Sequence, residues 1–383
     1  MTTDLAHYRD EFPVTQQYAF LSHAAVSSLS RRVGNAVRPH IERVEQDHFW
    51  NYMPDVLAVQ ERLRERIARL TNARSSSEIV LTQNTAMSIS TVAASLPFQP
   101  GDNVLVLEGD YPANVYPWLN QAHRGVLTKF VPAHQGGLDI NLLEQRIDKR
   151  TRVIALSTVM FSTGFRNDIE AVGKLCHERG IYFVVDAIQS LGAFPIDVQS
   201  SHIDFLAAGS QKWLMSLPGC GLLYCRQERI DELVPGAYVG TMSVLDPLNY
   251  LDYNFTLQPD ASRFNLGTPN VTGIVALDAA IELLQEVGIE RISQQIATLV
   301  DALLSDLSER GYVVSGSTAP EHRSGIVVAK VPNAMNLCQR MSKEHVIVTP
   351  RGAGVRVAPH FYNTVEEVLR VGELLDAFAK ENY

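Results

Sequence analysis

Short, continuously apolar runs alternate with stretches of helical period through the first two thirds of the chain. The runs predict strands at Glu78–Leu81, Asn103–Leu107, Val153–Ser157, Ile181–Val185, Phe205–Ala208 and Gly221–Cys225. Between them the spacing predicts helices over Thr85–Ser95, Asn141–Asp148 and Asp168–Arg179, the last stopped by Gly180. Upstream, Pro54–Leu70 reads as one long helix with its proline in the first turn. Strands that are apolar on both faces and separated by helices imply an α/β fold, with a mostly parallel sheet covered on each side.

The pattern changes in the last third. A helix over Val271–Glu286 precedes strands at Ser324–Val331, His345–Val348 and Gly354–Ala358, and an amphipathic helix covers Thr364–Lys380. This reads as a smaller α+β domain. With 383 residues the chain exceeds what one small core needs, so the expected division is a large domain over 20–260 and a small one formed by 261–383 with the N-terminal segment 1–19. Pro235–Pro259 has little regular period and reads as a long functional loop. There is no internal repeat and no low-complexity tract.

Composition narrows the function classes. The chain is 46% hydrophobic and 20% charged, ordinary for a globular protein. Its formal charge of −9, without a basic block, argues against nucleic acid as a partner. No apolar run reaches the roughly 18 residues a membrane span needs, and the polar, acidic start MTTDLAHYRDEF does not resemble a secretory signal. Cys176, Cys220, Cys225 and Cys338 fit neither a zinc pattern nor a disulfide framework. The expectation is therefore reduced thiols, no metal, no membrane and a cytoplasmic location.

The chemistry-bearing pattern lies at the ends of two strands. One apolar run ends in Val184-Val185-Asp186-Ala187-Ile188-Gln189; another runs through Ala207-Ala208-Gly209 into Ser210-Gln211-Lys212-Trp213. A parallel sheet would bring Asp186 and Lys212 to the same edge. A lysine for a Schiff base and a carboxylate to keep a pyridine nitrogen protonated are what pyridoxal 5′-phosphate (PLP) requires. At Ile79–Met87 a strand turns into a helix capped by Asn84 or Thr85, and free N–H groups at such a terminus suit a phosphate. Ser210 and Gln211 can add a hydroxyl and an amide. Tyr111, just after a strand, can stack on a planar ring, and Gln189 can reach the cofactor's 3′ oxygen.

Taken singly, each feature has a plain reading: a solvated lysine, an ordinary N-cap, a turn tyrosine. The combination carries the inference. A dinucleotide-dependent oxidoreductase on a similar sheet lacks its GxGxxG fingerprint here. A non-catalytic PLP-binding protein would have no use for Lys212, Asp186 and Arg356 together.

At these residues the chain resembles the class V aminotransferases of PLP fold type I, a group that includes cysteine desulfurases, kynureninases and isopenicillin N epimerase-like enzymes. The resemblance runs from Phe20-Leu21-Ser22-His23-Ala24-Ala25 to Val355-Arg356-Val357-Ala358-Pro359-His360-Phe361-Tyr362-Asn363-Thr364. It includes Asp186-x-x-Gln189, Lys212-Trp213-Leu214 and Arg263-Phe264-Asn265-Leu266-Gly267-Thr268. It implies a seven-stranded sheet, Lys212 as Schiff-base lysine, Asp186 on the pyridine nitrogen and Gln189 near the 3′ oxygen. Tyr111 would stack on the ring, and Thr85, Ala86, Ser210 and Gln211 would hold the phosphate. Thr268 would reach the phosphate of a neighbouring subunit, making a homodimer with shared sites. Arg356 matches the arginine that grips an α-carboxylate, with His23, Ala24 and Phe161 beside the substrate and Arg351 as the next candidate anchor.

The departures are informative. The stretch Lys343–Gly354 lacks the persulfide-forming cysteine of the desulfurases, and Cys338 reads as packed in a helix. The desulfurases' histidine ahead of the lysine is Gln211, their stacking histidine is Tyr111, and an asparagine that often helps with the carboxylate is Phe161. The expected function is a PLP-dependent conversion of an amino acid, transamination or an epimerase-like reaction first, with C–S β-elimination independent of a cysteine as the alternative. Once the Cα proton is removed, its return to the cofactor gives transamination and its return to the opposite face of Cα gives epimerisation. Loss of a side-chain substituent gives elimination.

Overall fold

The structure, a computed structural model, describes residues 5–234, 238–352 and 354–380. Its centre is one sheet of seven strands: β1 (Ile79–Thr82), β2 (Asn103–Leu107), β3 (Leu127–Val131), β4 (Thr151–Ser157), β5 (Tyr182–Asp186), β6 (Phe205–Gly209) and β7 (Gly221–Cys225). Their spatial order is β1-β7-β6-β5-β4-β2-β3. Strands β2 to β6 pair in parallel, and β7 is antiparallel to both its neighbours.

Alternation within the strands makes the sheet two-sided. Val104 and Val106 of β2 join one apolar cluster with Val153, Val184 and Phe205. Leu105 and Leu107 point the other way, with Ile154, Phe183 and Leu206. Successive side chains on a strand face opposite sides, so a buried strand must be apolar throughout. That is why six of the strands stood out as continuous runs. The seventh, β3, is the exposed edge; it carries Thr128 and Lys129 and is mostly open to solvent, so its pattern does not announce a strand.

Three long helices differ from expectation. The helix expected to start at Pro54 runs over Phe49–Thr71 (α2), which puts Pro54 in its sixth position. The proline removes only the N–H that would bond the Trp50 carbonyl, close to the already unpaired first turn. The helix Arg31–Gln46 (α1) was not anticipated, because Gly34 and Pro39 interrupt it and most of its residues are polar. It is held by packing Val33 against Ala276, Ala279 and Ala280 of Val271–Val287 (α3). A second long helix, Ile289–Glu309, follows Gly288 directly. By contrast Thr85–Ser95 (α4) and Ile169–Arg179 match expectation, the latter ending at Gly180 with φ 64°.

In the last third, Val327–Lys330 (β8), Thr349–Arg351 (β9) and Gly354–Val357 (β10) form an antiparallel sheet in the order β9-β10-β8. The expected strand at His345–Val348 is reduced to Val346–Ile347, which pairs with Ala19–Phe20 from the N-terminal segment. Ala358 and Leu21 extend this join, the Ala358 N–H donating to the Leu21 carbonyl at 2.8 Å. Of the expected loop at Pro235–Pro259, 235–237 lie outside the described residues. The remainder holds one short turn of 3-10 helix and an isolated bridge between Val244 and Leu257.

Candidate active site

The parallel register assembles the site at the C-terminal edge of the sheet. Asp186 is the last residue of β5 and lies opposite Ala207 of β6, whose chain reaches Lys212 three residues beyond Gly209. Tyr111 follows β2, and Thr85 opens α4 just after β1. The Lys212 Nζ lies over the Tyr111 ring, 5.4 Å from its centroid. Its turn is tied down by Ser27, whose hydroxyl donates to the Lys212 carbonyl at 2.5 Å. Tyr111 is held by Asp110, which accepts from the Tyr111 N–H at 2.6 Å and from the Ser157 hydroxyl at 2.5 Å.

The charges here are strained by burial. Burial pushes the Asp186 carboxyl above its ordinary range, with Asp110 adding to the rise and the Ile188 N–H and Lys212 opposing it. Burial likewise drives the Lys212 ammonium down; Asp186 works against this, while Arg356 and Arg351 reinforce it. Asp186 Oδ1 accepts from the Ile188 N–H at 3.0 Å, but Oδ2 is buried without a partner.

A second cluster surrounds Arg356, which is 1% exposed on β10. Its Nε donates to the Thr349 hydroxyl at 3.2 Å and its Nη1 to the Phe161 carbonyl at 3.1 Å, while Nη2 has no partner. No described carboxylate pairs with it. Burial and the Arg351 charge bring its guanidinium down to about 10. The Phe161 ring meets Tyr111 edge-on at 5.1 Å and lies 5.9 Å from the Arg351 guanidinium.

Comparison with known proteins places this arrangement. The family model described as Aminotransferase class-V matches residues 20–372. The chain belongs to the class V aminotransferase family. It is 29% identical to a probable cysteine desulfurase of Methanothermobacter thermautotrophicus, with 97% of each chain covered. It is also 29% identical to an uncharacterized aminotransferase, YcbU, of Bacillus subtilis, with 94% of each covered. Among solved structures, the apo cysteine desulfurase of Thermococcus onnurineus NA1 superposes with a TM-score of 0.89 at 26% identity, over 100% of both chains. The cofactor of this class V enzyme is pyridoxal 5′-phosphate, and among the described residues no helix is long and apolar enough to cross a membrane.

The residues fit that cofactor. The unpartnered Oδ2 of Asp186 is the acceptor a protonated ring nitrogen needs. At the other end, the Thr85 hydroxyl is buried and unpartnered. Asn84 caps α4 by accepting from the Met87 N–H at 2.9 Å, leaving the Thr85 and Ala86 N–H groups as donors without helical partners. Gly209 keeps this corner open: a Cβ there would lie 2.6 Å from Gln211 Oε1 and 3.3 Å from Thr85 Oγ1. Tyr111 is 42% exposed and presents a ring face.

Other expected site residues are committed elsewhere. His23 is 0% exposed, and both ring nitrogens are used. Nδ1 donates to the Ala358 carbonyl at 2.8 Å, and Nε2, 2.8 Å from the Tyr362 hydroxyl, accepts from it. Burial lowers its pKa to about 4, so it stays neutral. The expected place of His23 beside the substrate is thus taken by a buried ring whose two nitrogens are already bonded within the protein. Ala24 is buried too, its carbonyl accepting from the Gln189 amide at 3.1 Å. Gln189 Oε1 in turn accepts from the Trp213 indole at 3.0 Å, so only one amide proton remains for the cofactor. The Ser210 hydroxyl faces the carbonyls of Cys220, at 2.7 Å, and Leu217, rather than presenting its proton to a phosphate. Thr268 is exposed and lines a cleft with Gln83 and Met87 beside the start of α4. Ser27 went unnoticed in the sequence, since it belongs to no motif and its role arises from a contact with the distant Lys212 turn.

Proposed function

We propose that this enzyme converts an α-amino acid by removing its Cα proton, with transamination as the outcome. The observation that carries the reading is a buried lysine of lowered basicity over Tyr111, paired with a buried arginine that has no carboxylate partner and is held by Phe161, whose ring meets Tyr111. PLP, when bound, supplies the electron sink for the charge left at Cα. Lys212 would hold the cofactor through Nζ, and its free amine would be the base for the Cα proton; burial leaves that amine neutral at lower pH than an exposed lysine's. Asp186 keeps the ring nitrogen protonated through Oδ2. Thr85, Ala86 and Gln211 hold the phosphate, and Tyr111 covers one ring face. Arg356 grips the α-carboxylate through its free Nη2 and turns the Cα–H bond towards Lys212.

No cysteine takes part. Cys176, Cys220, Cys225 and Cys338 are all buried free thiols, and burial pushes that of Cys338 up to about 11. Its helix, Ala334–Lys343, packs it rather than offering it to the cleft. A second reading, C–S β-elimination independent of a cysteine, is favoured by the relatives named cysteine desulfurase. Replacing all four cysteines should preserve turnover in the folded fraction. A screen of amino acids should yield keto acid without ammonia or sulfide. Release of sulfide and ammonia from cysteine would establish the second reading instead.

The reading includes a homodimer. The segment after 237 exposes Leu248, Tyr250, Leu251, Tyr253 and Phe255, and Trp50 on α2 is 71% exposed. Apolar side chains in such number favour burial against a second copy. Thr268 then serves the partner's phosphate.

A further inference from the structure

We infer that the preferred substrate is an amino acid with a second anionic group on its side chain, held by Arg351. The inference rests on the reading of Arg356 as the α-carboxylate anchor and adds what lies beside it. Register pairs Thr349 with Arg356 and Arg351 with Gly354 across the hairpin of β9 and β10. Residues two apart on a strand share a face, so Arg351 and Arg356 project to the same side. The residue opposite Arg351 is a glycine and offers no side chain to cover it.

Both guanidiniums keep unused donors. Nε of Arg351 and Nη2 of Arg356 are buried without partners. Neither arginine pairs with a carboxylate among the described residues. Both reach the cleft of Lys212 through Phe161, whose ring meets Tyr111 at 5.1 Å beneath the Lys212 amine. Phe161 sets their spacing: its carbonyl accepts from Arg356 at 3.1 Å, and its ring packs 5.9 Å from the Arg351 guanidinium. A buried cationic donor left unpaired is destabilising, and two adjacent ones repel. One α-carboxylate satisfies Arg356 alone. A second carboxylate or sulfinate, one or two carbons beyond Cα, would satisfy Arg351 by a charge-assisted bond.

The test compares aspartate, glutamate and cysteine sulfinate with alanine and leucine as substrates of the holoenzyme. One of the acidic substrates should exceed the neutral ones in kcat/KM by about tenfold to a hundredfold, the worth of one such bond. Arg351→Met should collapse that ratio, chiefly through KM, and Arg351→Lys should restore part of it. Independently of turnover, succinate should raise the melting temperature of wild-type protein more than butyrate does, and the difference should vanish in Arg351→Met. Equal kcat/KM for acidic and neutral amino acids, or an acidic preference that survives Arg351→Met, overturns the inference. The cofactor's visible absorbance, read in the same samples, separates the two levels: a normal band with no acidic preference refutes only the role of Arg351, whereas a missing band refutes the PLP reading beneath it.

Discussion

Two buried polar clusters meet at the Lys212–Trp213 turn, and they differ in what they leave unused. On one side His23, His360, Tyr362 and Trp213 are fully enclosed, and their bonds close on one another, on Gln189 or on backbone. His360 Nε2 donates to the Trp213 carbonyl at 3.2 Å, and its Nδ1 accepts from the Phe361 N–H at 2.9 Å. Both histidines are held neutral by burial. On the other side Asp186 Oδ2, Thr85 Oγ1, Arg356 Nη2 and Arg351 Nε are buried with nothing to bond. A folded chain rarely leaves such groups orphaned. A saturated cluster fixes geometry, whereas one with spare valences awaits a ligand.

The sharpest way to break this contrast is Lys212→Ala. It should abolish the cofactor's visible band and reduce turnover by roughly a hundredfold to ten-thousandfold; a variant that retains both would place the chemistry elsewhere. Arg356→Lys should reduce kcat/KM for amino acids by about tenfold to a hundredfold, because an ammonium cannot form the two-pronged contact, with the absorbance of bound PLP hardly changed. An unchanged kcat/KM would make Arg356 structural.

The saturated cluster should answer in stability instead. His23→Gln should lower unfolding free energy by about 1–3 kcal/mol through imperfectly met bonds to Ala358 and Tyr362, with kcat of the folded enzyme within about twofold of wild type. A large loss of kcat at full folding would return His23 to the substrate. Its titration predicts a pH dependence. With a folded pKa of about 4 against the ordinary 6.5, His23 takes up its proton on unfolding at higher pH than in the native state. The stability tied to its neutral form is therefore complete above pH 6.5 and lost as pH falls towards 4, about 3 kcal/mol in all. His360 acts in the same direction. Urea midpoints across this window should fall in wild type and fall less in His23→Gln. An effect of the same size is expected from Thr268→Ala, which should weaken PLP retention by about 1–3 kcal/mol when a partner subunit uses it; retention unchanged in a dimer would exclude that contact.

What the sequence reveals follows from where physical constraints are local. Strands buried on both faces must be apolar at every position, so β2 and β7 were read with their observed limits, while the edge strand β3 was hidden by its polar residues. Helix α1 was hidden because tertiary packing, not propensity, holds a segment containing Gly34 and Pro39. Asp186, Lys212 and Arg356 were legible because a strand end or an alternating run fixes where each must lie. For His23, closeness to a substrate segment says nothing of which way the ring turns or which bonds it has already made. Arg351 was visible only as a reserve candidate. Its kinship with Arg356 depends on the hairpin register, which no local pattern carries.

The most direct measurement is borohydride reduction of the purified protein followed by peptide mapping of the pyridoxyl label, in wild type and in His23→Gln. The account predicts one label per chain, on Lys212, in both proteins. A label on another lysine, or none in either protein, would contradict it.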